Sequence, residues 1–203
     1  MFNERYKEIR LFARHGSAPL LNIAPYFTDA ARQMAKDMKP ELLWIIQGMN
    51  EIKFHDKASD AMFAPSALDI VIAEKMNEFK KLADLIYVDL PYYLTADYPA
   101  KFIARSLIFR KNLEESSLVV PVCQVEEQIQ EQTQRLLRSN CANCHFNDIQ
   151  KALTNGSRRF YFYDRENYRA LNYDGSHLTL TAFKYIRPIY SNRIEQFFRF
   201  LAQ

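Results

Sequence analysis

The hydrophobic and polar positions of this chain alternate between short apolar runs and longer amphipathic segments. Four apolar runs have the length of a strand and predict strands at Glu8–Ala13, Leu42–Gln47, Leu85–Leu90 and Phe160–Tyr163. Helical spacing is predicted at Tyr26–Met38, Ser66–Leu82, Lys101–Leu113, Val125–Arg138 and Thr179–Leu201. Strands separated by helices are typical of a parallel sheet with helices on both faces. The pattern therefore predicts an α/β fold.

Two of the predicted helices have features that affect how they pack. Val125–Arg138 is rich in Glu and Gln, so we expect it to be solvated along most of its length. Thr179–Leu201 contains Pro188, which lacks a backbone N–H and predicts an interruption or a kink.

Composition limits the class of protein. Apolar residues make up 48% and charged residues 25% of the 203 residues, which is typical of a globular protein. The length suits a single domain over 1–203. No run approaches the roughly 20 apolar residues of a membrane span, and no signal-peptide core is present.

The net charge of +3 is concentrated near the C-terminus. Residues 157–203 contain eight basic and four acidic side chains together with twelve aromatic residues. Basic residues among aromatics can bind single-stranded nucleic acid. An amphipathic terminal helix beside a buried strand accounts for the same pattern, so no nucleic-acid partner is expected.

The three cysteines leave several alternatives open. Cys141 and Cys144 form a CxxC pair, and Cys123 lies upstream. The pair could take part in disulfides, remain as free thiols, or supply half of a zinc site that would need two more ligands. No metal or cofactor is expected, because a second ligand pair is absent from the sequence.

The strongest candidate chemistry is an Asp-x-x-His motif that follows the last apolar run. Asp174 could accept a hydrogen bond from Nδ1 of His177 and leave Nε2 to act as a general base. In a parallel sheet, ligands bind at the carboxyl ends of the strands, and this motif follows a predicted strand.

Two further segments follow predicted strands and contain glycine. Gly48 and Asn50 come after Leu42–Gln47, where the Asn amide could donate to an oxyanion or simply sit in a turn. Gly16 and Ser17 come after Glu8–Ala13. Either Ser17 is a nucleophile on a strand-to-helix turn, or Gly16 donates its N–H to an oxyanion and Ser17 is a bystander.

Taken together, the motifs resemble the SGNH (GDSL-like) hydrolase superfamily. The order is strand–Gly, strand–Gly-x-Asn, then Asp-x-x-His followed by a helix. The chain is most similar to the C-terminal SGNH domain of acyltransferase-3-type membrane proteins, including the nematode O-acyltransferase-like proteins. The segments that carry the resemblance are 12–20 (FARHGSAPL), 39–46 (KPELLWII), 141–144 (CANC), 174–179 (DGSHLT) and 186–190 (IRPIY).

The resemblance implies a three-layer α/β/α fold with a mostly parallel, flavodoxin-like sheet. It also implies acyl-ester hydrolysis or O-acyl transfer by a Ser-His-Asp mechanism, with Asp174 and His177 as two members. Gly16, Gly48 and Asn50 would supply the oxyanion hole. The partners would be an acyl ester or a carbohydrate or lipid acyl acceptor, and a membrane acyltransferase domain in cis. The location would be extracytoplasmic.

The nucleophile block departs from the family pattern. The family has Gly-Asp-Ser or Gly-Asn-Ser after its first strand, and neither tripeptide occurs here. Aligning Ser17 with that serine leaves too few residues before Gly48. Aligning Gly16 with the second-block glycine keeps the spacing and places the nucleophile upstream of Met1, truncated or lost. The alternative function is a catalytically inactive SGNH-like module that binds a ligand.

Overall fold

The computed structural model describes residues 7–13, 18–21, 24–47, 65–95 and 97–202, with the backbone alone at residues 65 and 66. The α-helices are α1 (Pro25–Met38), α2 (Pro65–Phe79), α3 (Pro99–Ile108), α4 (Val122–Leu137), α5 (Ile149–Thr154) and α6 (Leu180–Leu201). The strands are β1 (Leu42–Ile45), β2 (Leu85–Asp89), β3 (Val119–Pro121), β4 (Cys144–Asn147) and β5 (Arg159–Tyr161). Short 3₁₀ turns occur at Pro19–Leu21 and Leu113–Glu115.

Three parallel strands form the main sheet, in the order β1–β2–β4. Trp44 pairs with Tyr87 across β1 and β2, and Asp89 pairs with Asn147 across β2 and β4. Every residue of the central strand β2 is buried, as its unbroken apolar run predicts. The α/β class predicted from the sequence is confirmed.

Helices cover both faces of β2. Ile86 and Val88 point to one face, where they join a cluster with Ile72 and Met76 of α2. Leu85 and Tyr87 point to the other face and pack against Phe197 of α6. Successive side chains of a strand point to opposite faces, so a helix on each side requires the continuous apolar run seen here.

The aromatic run Phe160–Tyr163 was expected to join the parallel sheet, and that prediction is wrong. Its first residues belong to β5, which pairs antiparallel with β3 in a separate two-stranded sheet, with Val120 opposite Phe160. Phe160 and Phe162 are buried there with Ile186 of α6. The run is thus largely buried and begins as a strand, but its own pattern does not specify which strand it pairs with.

The prediction of a strand at Glu8–Ala13 is also wrong. Residues 7–13 form no strand and are exposed, with Leu11 87% and Ile9 67% accessible. A strand requires a neighbour for its backbone N–H and C=O groups, and none pairs with this segment among the described residues.

Agreement with the predictions varies among three further elements. Strand β4 has the sequence Cys-His-Phe-Asn, which lacks an apolar pattern and was not predicted. Helix α4 is exposed along most of its length, as its composition predicts, and buries only Val125, Gln132, Arg135 and Leu136. Helix α6 runs as one element through Pro188.

The CxxC pair is closed as a disulfide between Cys141 and Cys144, in the connection from α4 to β4. Cys123, near the start of α4, is an exposed free thiol. Of the three alternatives left by the sequence, the structure contains the disulfide. Within the described ranges, no helix combines the length and the apolar character needed to cross a bilayer.

Candidate functional site

The Asp-x-x-His motif forms a closed turn just before α6. Asn172 and Leu178 form an antiparallel bridge, and the Tyr173 N–H donates to the His177 carbonyl at 2.7 Å. Gly175 lies inside the turn at a φ of 84°, a left-handed conformation that glycine adopts without a Cβ clash. Thr179 then caps α6 by accepting from the Ala182 N–H.

Within this turn, His177 Nδ1 lies 2.7 Å from Asp174 Oδ2. The other carboxylate oxygen, Oδ1, accepts from the His177 N–H at 2.9 Å, the Ser176 N–H at 3.1 Å and the Ser176 hydroxyl at 3.0 Å. Partial burial acts to raise the pKa of Asp174, but the hydrogen bonds from His177 and Ser176 outweigh it and hold that pKa well below its ordinary value. Asp174 is therefore ionised at neutral pH.

The ionised carboxylate fixes the tautomer of the imidazole. A carboxylate can only accept hydrogen bonds, so Nδ1 of a neutral His177 carries the proton and Nε2 is the basic nitrogen. The His177 side chain is 59% exposed and the Asp174 side chain 28% exposed. The pair has the arrangement that a general base requires, and it lies at the molecular surface.

The loop that follows β2 holds the turn in place. The Tyr92 hydroxyl donates to the Ser176 carbonyl at 2.6 Å, and the Thr95 N–H donates to the Gly175 carbonyl at 3.1 Å. A Cβ on Gly175 would lie 2.1 Å from the Thr95 carbonyl oxygen, so the two backbones are in direct contact. These contacts attach the Asp174–His177 pair to the loop at the carboxyl end of β2, the edge at which ligands bind in many parallel sheets.

A buried polar network lies at the same edge of the sheet, and the sequence analysis missed it. Asp89, the last residue of β2, accepts from Trp44 Nε1 at 3.1 Å, from Asn147 Nδ2 at 2.8 Å and from the Tyr190 hydroxyl. Asn147 in turn accepts from Arg193 Nε at 2.8 Å. Burial raises the pKa of Asp89, although its three hydrogen-bond donors oppose that shift. The sequence signal was an acidic residue ending an otherwise apolar strand.

Tyr92 lies between this network and the Asp174–His177 turn. Burial, followed by the negative charges of Asp174 and Asp89, raises the pKa of Tyr92 to about 12. Both carboxylates therefore influence the same phenol, which remains protonated and able to donate to Ser176 at neutral pH.

An open cleft of about 420 Å³ borders the loop after β2. It is lined by Leu90 and Pro91 after β2, by Asp148 after β4, and by one side of α4 from Cys123 to Gln134. Asp174 and His177 do not line it. The carboxyl edge of the sheet thus has a cleft and a separate, surface-exposed acid–base pair.

The predicted site residues fall into two groups. The structure brings Asp174 and His177 together as expected. Gly16, Ser17, Gly48 and Asn50 lie outside the described residues, so the nucleophile and the oxyanion donors stay predictions. Across the described part of the chain, no group of three or more His, Cys, Asp or Glu side chains is placed to hold a metal ion.

No family model, curated protein or solved structure matches this chain.

The Asp174–His177 arrangement can perform one clear chemical task. An imidazole oriented by a carboxylate can take a proton from a hydroxyl nucleophile and return it to a leaving group. It needs a hydroxyl group near Nε2 to complete a nucleophilic site. Ser176 does not have this position, because its hydroxyl donates to Asp174 and lies 3.3 Å from Nδ1.

Proposed function

We propose that this chain is an SGNH-type domain associated with acyl-ester hydrolysis or O-acyl transfer by a Ser-His-Asp mechanism. The observation that carries the proposal is the 2.7 Å contact between His177 Nδ1 and Asp174 Oδ2 at the carboxyl edge of a parallel sheet. Asp174 orients the imidazole, and His177 is the general base. The serine is Ser17 or a residue outside this chain.

The fold supports this proposal as far as the class of architecture. A parallel sheet with helices against both faces of β2 is compatible with the three-layer α/β/α, flavodoxin-like arrangement of that superfamily. In the proposed assignment, Gly16, Gly48 and Asn50 complete the oxyanion hole. The substrate would be an acyl ester, with a carbohydrate or lipid as acyl acceptor and a membrane acyltransferase domain in cis.

The disulfide supports an extracytoplasmic location in this proposal. Disulfides such as Cys141–Cys144 persist in oxidising compartments and are uncommon in the cytosol. An O-acyltransferase domain outside the cytoplasm would meet that condition.

A serine-directed fluorophosphonate tests the proposal directly. If Ser17 is the serine, we expect the folded chain to be labelled and the label to be lost in both Ser17→Ala and His177→Ala, whereas a serine outside this chain would leave it unlabelled. His145→Ala is the matched control, because His145 is also exposed but lies in β4, away from the Asp174 turn. Labelling that persists in His177→Ala would refute the assigned base.

The absence of a Gly-Asp-Ser or Gly-Asn-Ser tripeptide favours a second candidate, an inactive SGNH-like module that binds a ligand. This candidate predicts no labelling and no turnover of short acyl esters by the folded chain. Ser17→Ala would then leave every measured property unchanged. An esterase activity that disappears in Ser17→Ala would exclude the inactive module.

A further inference from the structure

Helix α3 ends in a protruding apolar turn, which we call the α3 tip (residues 107–111). Its first three side chains are exposed although they are large and apolar: Leu107 is 49%, Ile108 75% and Phe109 64% accessible. Arg110 and Lys111 complete it. Single exposed apolar residues are common on protein surfaces, but three consecutive ones at a helix end indicate a contact surface.

The backbone of the α3 tip is fixed by hydrogen bonds. The Lys111 N–H donates to the Ser106 carbonyl at 2.8 Å, and the Arg110 N–H donates to the Leu107 carbonyl at 3.2 Å. This is the Schellman pattern that closes many helices. Its left-handed position is normally glycine, but here Arg110 occupies it at a φ of 53°. The two hydrogen bonds thus fix the backbone from which these side chains project. Arg110 occupies a left-handed position that glycine would adopt with less strain.

Positive charge surrounds the apolar side chains. Lys101, Arg105, Arg110 and Lys111 are all exposed, and none has an ion-pair partner among the described residues. Lys101, Arg105 and Ile108 are spaced four and three residues apart, so they share one face of α3. The stretch 98–111 contains no acidic residue.

The nearest acidic side chains along the chain are already engaged. Glu114 pairs with Arg165, and Glu115 accepts a hydrogen bond from Asn112. Before the helix, the Asp97 carboxylate accepts from the Ser117 hydroxyl at 3.0 Å. Within the described part of the chain, no carboxylate therefore neutralises the cations of α3, so they can meet an external anionic surface.

We propose that the α3 tip docks this protein on an anionic lipid bilayer. Aliphatic and aromatic side chains can enter the boundary between headgroups and acyl chains, while flanking cations contact anionic headgroups. Nucleic acid fits less well, because Leu107 and Ile108 have no ring on which a base could stack. A second copy fits less well too, because a symmetric contact would bring the same cations of both copies together.

This surface depends neither on the proposed catalysis nor on the proposed extracytoplasmic location, and its test needs no activity. The full chain is sedimented with vesicles of phosphatidylcholine alone and of phosphatidylcholine with phosphatidylserine at about seven to three. We expect binding to the anionic vesicles, weaker binding to the neutral ones, and release at roughly 0.5 M salt.

Variants separate the apolar contribution from the charge contribution. We expect Ile108→Ser/Phe109→Ser to weaken binding roughly tenfold or more. Each lost cation is expected to weaken it about fivefold. Arg110→Gly is the sharpest single change, because glycine suits the left-handed position. Vesicle binding should fall while the melting temperature stays equal or rises.

Matched controls lie elsewhere on the surface. Ile70→Ser removes an aliphatic side chain that is 59% exposed on α2, and Lys36→Gln removes an exposed cation of α1. Both should bind vesicles as the wild type does.

Several outcomes would overturn the proposal. These are wild-type protein that does not sediment with anionic vesicles, an equal loss in the Ile70→Ser control, or unchanged binding in Ile108→Ser/Phe109→Ser. Binding to an oligonucleotide but not to vesicles would assign the surface to nucleic acid instead. A concentration-dependent dimer that Ile108→Ser/Phe109→Ser abolishes would assign it to a second copy.

Discussion

At the scale of single residues, the position of the acid–base pair depends on a glycine. Gly175 adopts a left-handed backbone, and its Cα faces the Thr95 carbonyl so closely that no side chain can fit. Because of this contact, the turn containing Asp174 and His177 can lie directly against the loop after β2. The Asp-x-x-His motif alone predicts that Asp174 contacts His177. Gly175 determines that this pair lies against the loop after β2.

We predict that Gly175→Ala is much more destabilising than Gly156→Ala. Both glycines have positive φ, 84° and 72°, so both substitutions strain the backbone. A Cβ at Gly156 meets no atom within 4 Å, whereas at Gly175 it meets the Thr95 and Asp97 carbonyl oxygens. The free energy of unfolding in urea should fall by at least about 2 kcal/mol more for Gly175→Ala. Equal losses of unfolding free energy in the two variants would mean that the close approach of Gly175 to the Thr95 and Asp97 carbonyls does not contribute to stability.

At the scale of secondary-structure elements, the Asp89 network connects the sheet to α6. Asp89 lies on β2, and its donors come from β1, β4 and α6. Tyr87 adds a second connection, since its hydroxyl donates to the Arg193 carbonyl at 2.7 Å. The network is buried, so each member depends on its partners being present. The network thereby holds α6 against β2, and the loop that follows β2 contacts the Asp174–His177 turn.

We predict that Asp89→Asn changes the free energy of unfolding by less than about 1 kcal/mol, whereas Asp89→Ala lowers it by about 2–4 kcal/mol. The Asn side chain can still accept from Trp44 and Asn147, and the Tyr190 hydroxyl can accept from its amide. The Ala side chain leaves all three groups unpaired. Urea unfolding measures both changes, and a larger loss for Asn than for Ala would contradict the network.

The same variant tests the ionisation of Asp89. Because the folded-state pKa of Asp89 is raised, its contribution to stability is fully present below its ordinary value of 3.8 and is lost as pH rises through the raised value. Asp89→Asn removes this dependence. The stability of Asp89→Asn relative to wild type should therefore increase as pH rises above 3.8. A flat difference would show that Asp89 is not shifted.

At the scale of the whole molecule, the described residues contain two sheets and three hydrophobic clusters. The parallel sheet packs with α2 and α4 on one side, and α6 reaches both the parallel sheet and the cluster around β5. The Cys141–Cys144 disulfide lies at the start of β4, at the edge opposite the polar network. Forming or reducing this disulfide is therefore expected to affect the stability of the fold rather than the geometry of the Asp174–His177 pair.

We predict that an alkylating reagent modifies only Cys123 in the folded, oxidised protein and all three cysteines after reduction and unfolding. Reduction should lower the free energy of unfolding by about 2 kcal/mol, because the disulfide closes a very short loop. Cys123→Ser is the control and should change stability by less than about 0.5 kcal/mol. Labelling of Cys141 or Cys144 without reductant would contradict the disulfide.

Prediction from the sequence succeeded where the pattern of one segment is sufficient. The apolar run at β2 and the amphipathic spacing of α1, α2 and α6 predicted those elements, with small differences at their ends. It failed where an element depends on its neighbours. Strand β4 has no apolar pattern of its own, and it forms because β2 offers a parallel edge. The apolar pattern at Glu8–Ala13 has no such partner in the described part of the chain, so it forms no strand.

The sequence by itself determined the α/β class, the buried central strand and the pairing of Asp174 with His177, because each depends on residues close together in the chain. Only the tertiary structure decided that Phe160–Tyr163 joins a separate sheet, that Tyr92 and Thr95 hold the Asp174–His177 turn, and that Asp89, Asn147 and Tyr190 meet. The hydrogen bonds of Tyr92 with Ser176 and of Asp89 with Asn147 and Tyr190 join residues 58 to 101 positions apart, which no local pattern encodes. The physical reason is that hydrophobic periodicity specifies which face of an element is buried, whereas the partner on that face is selected by packing.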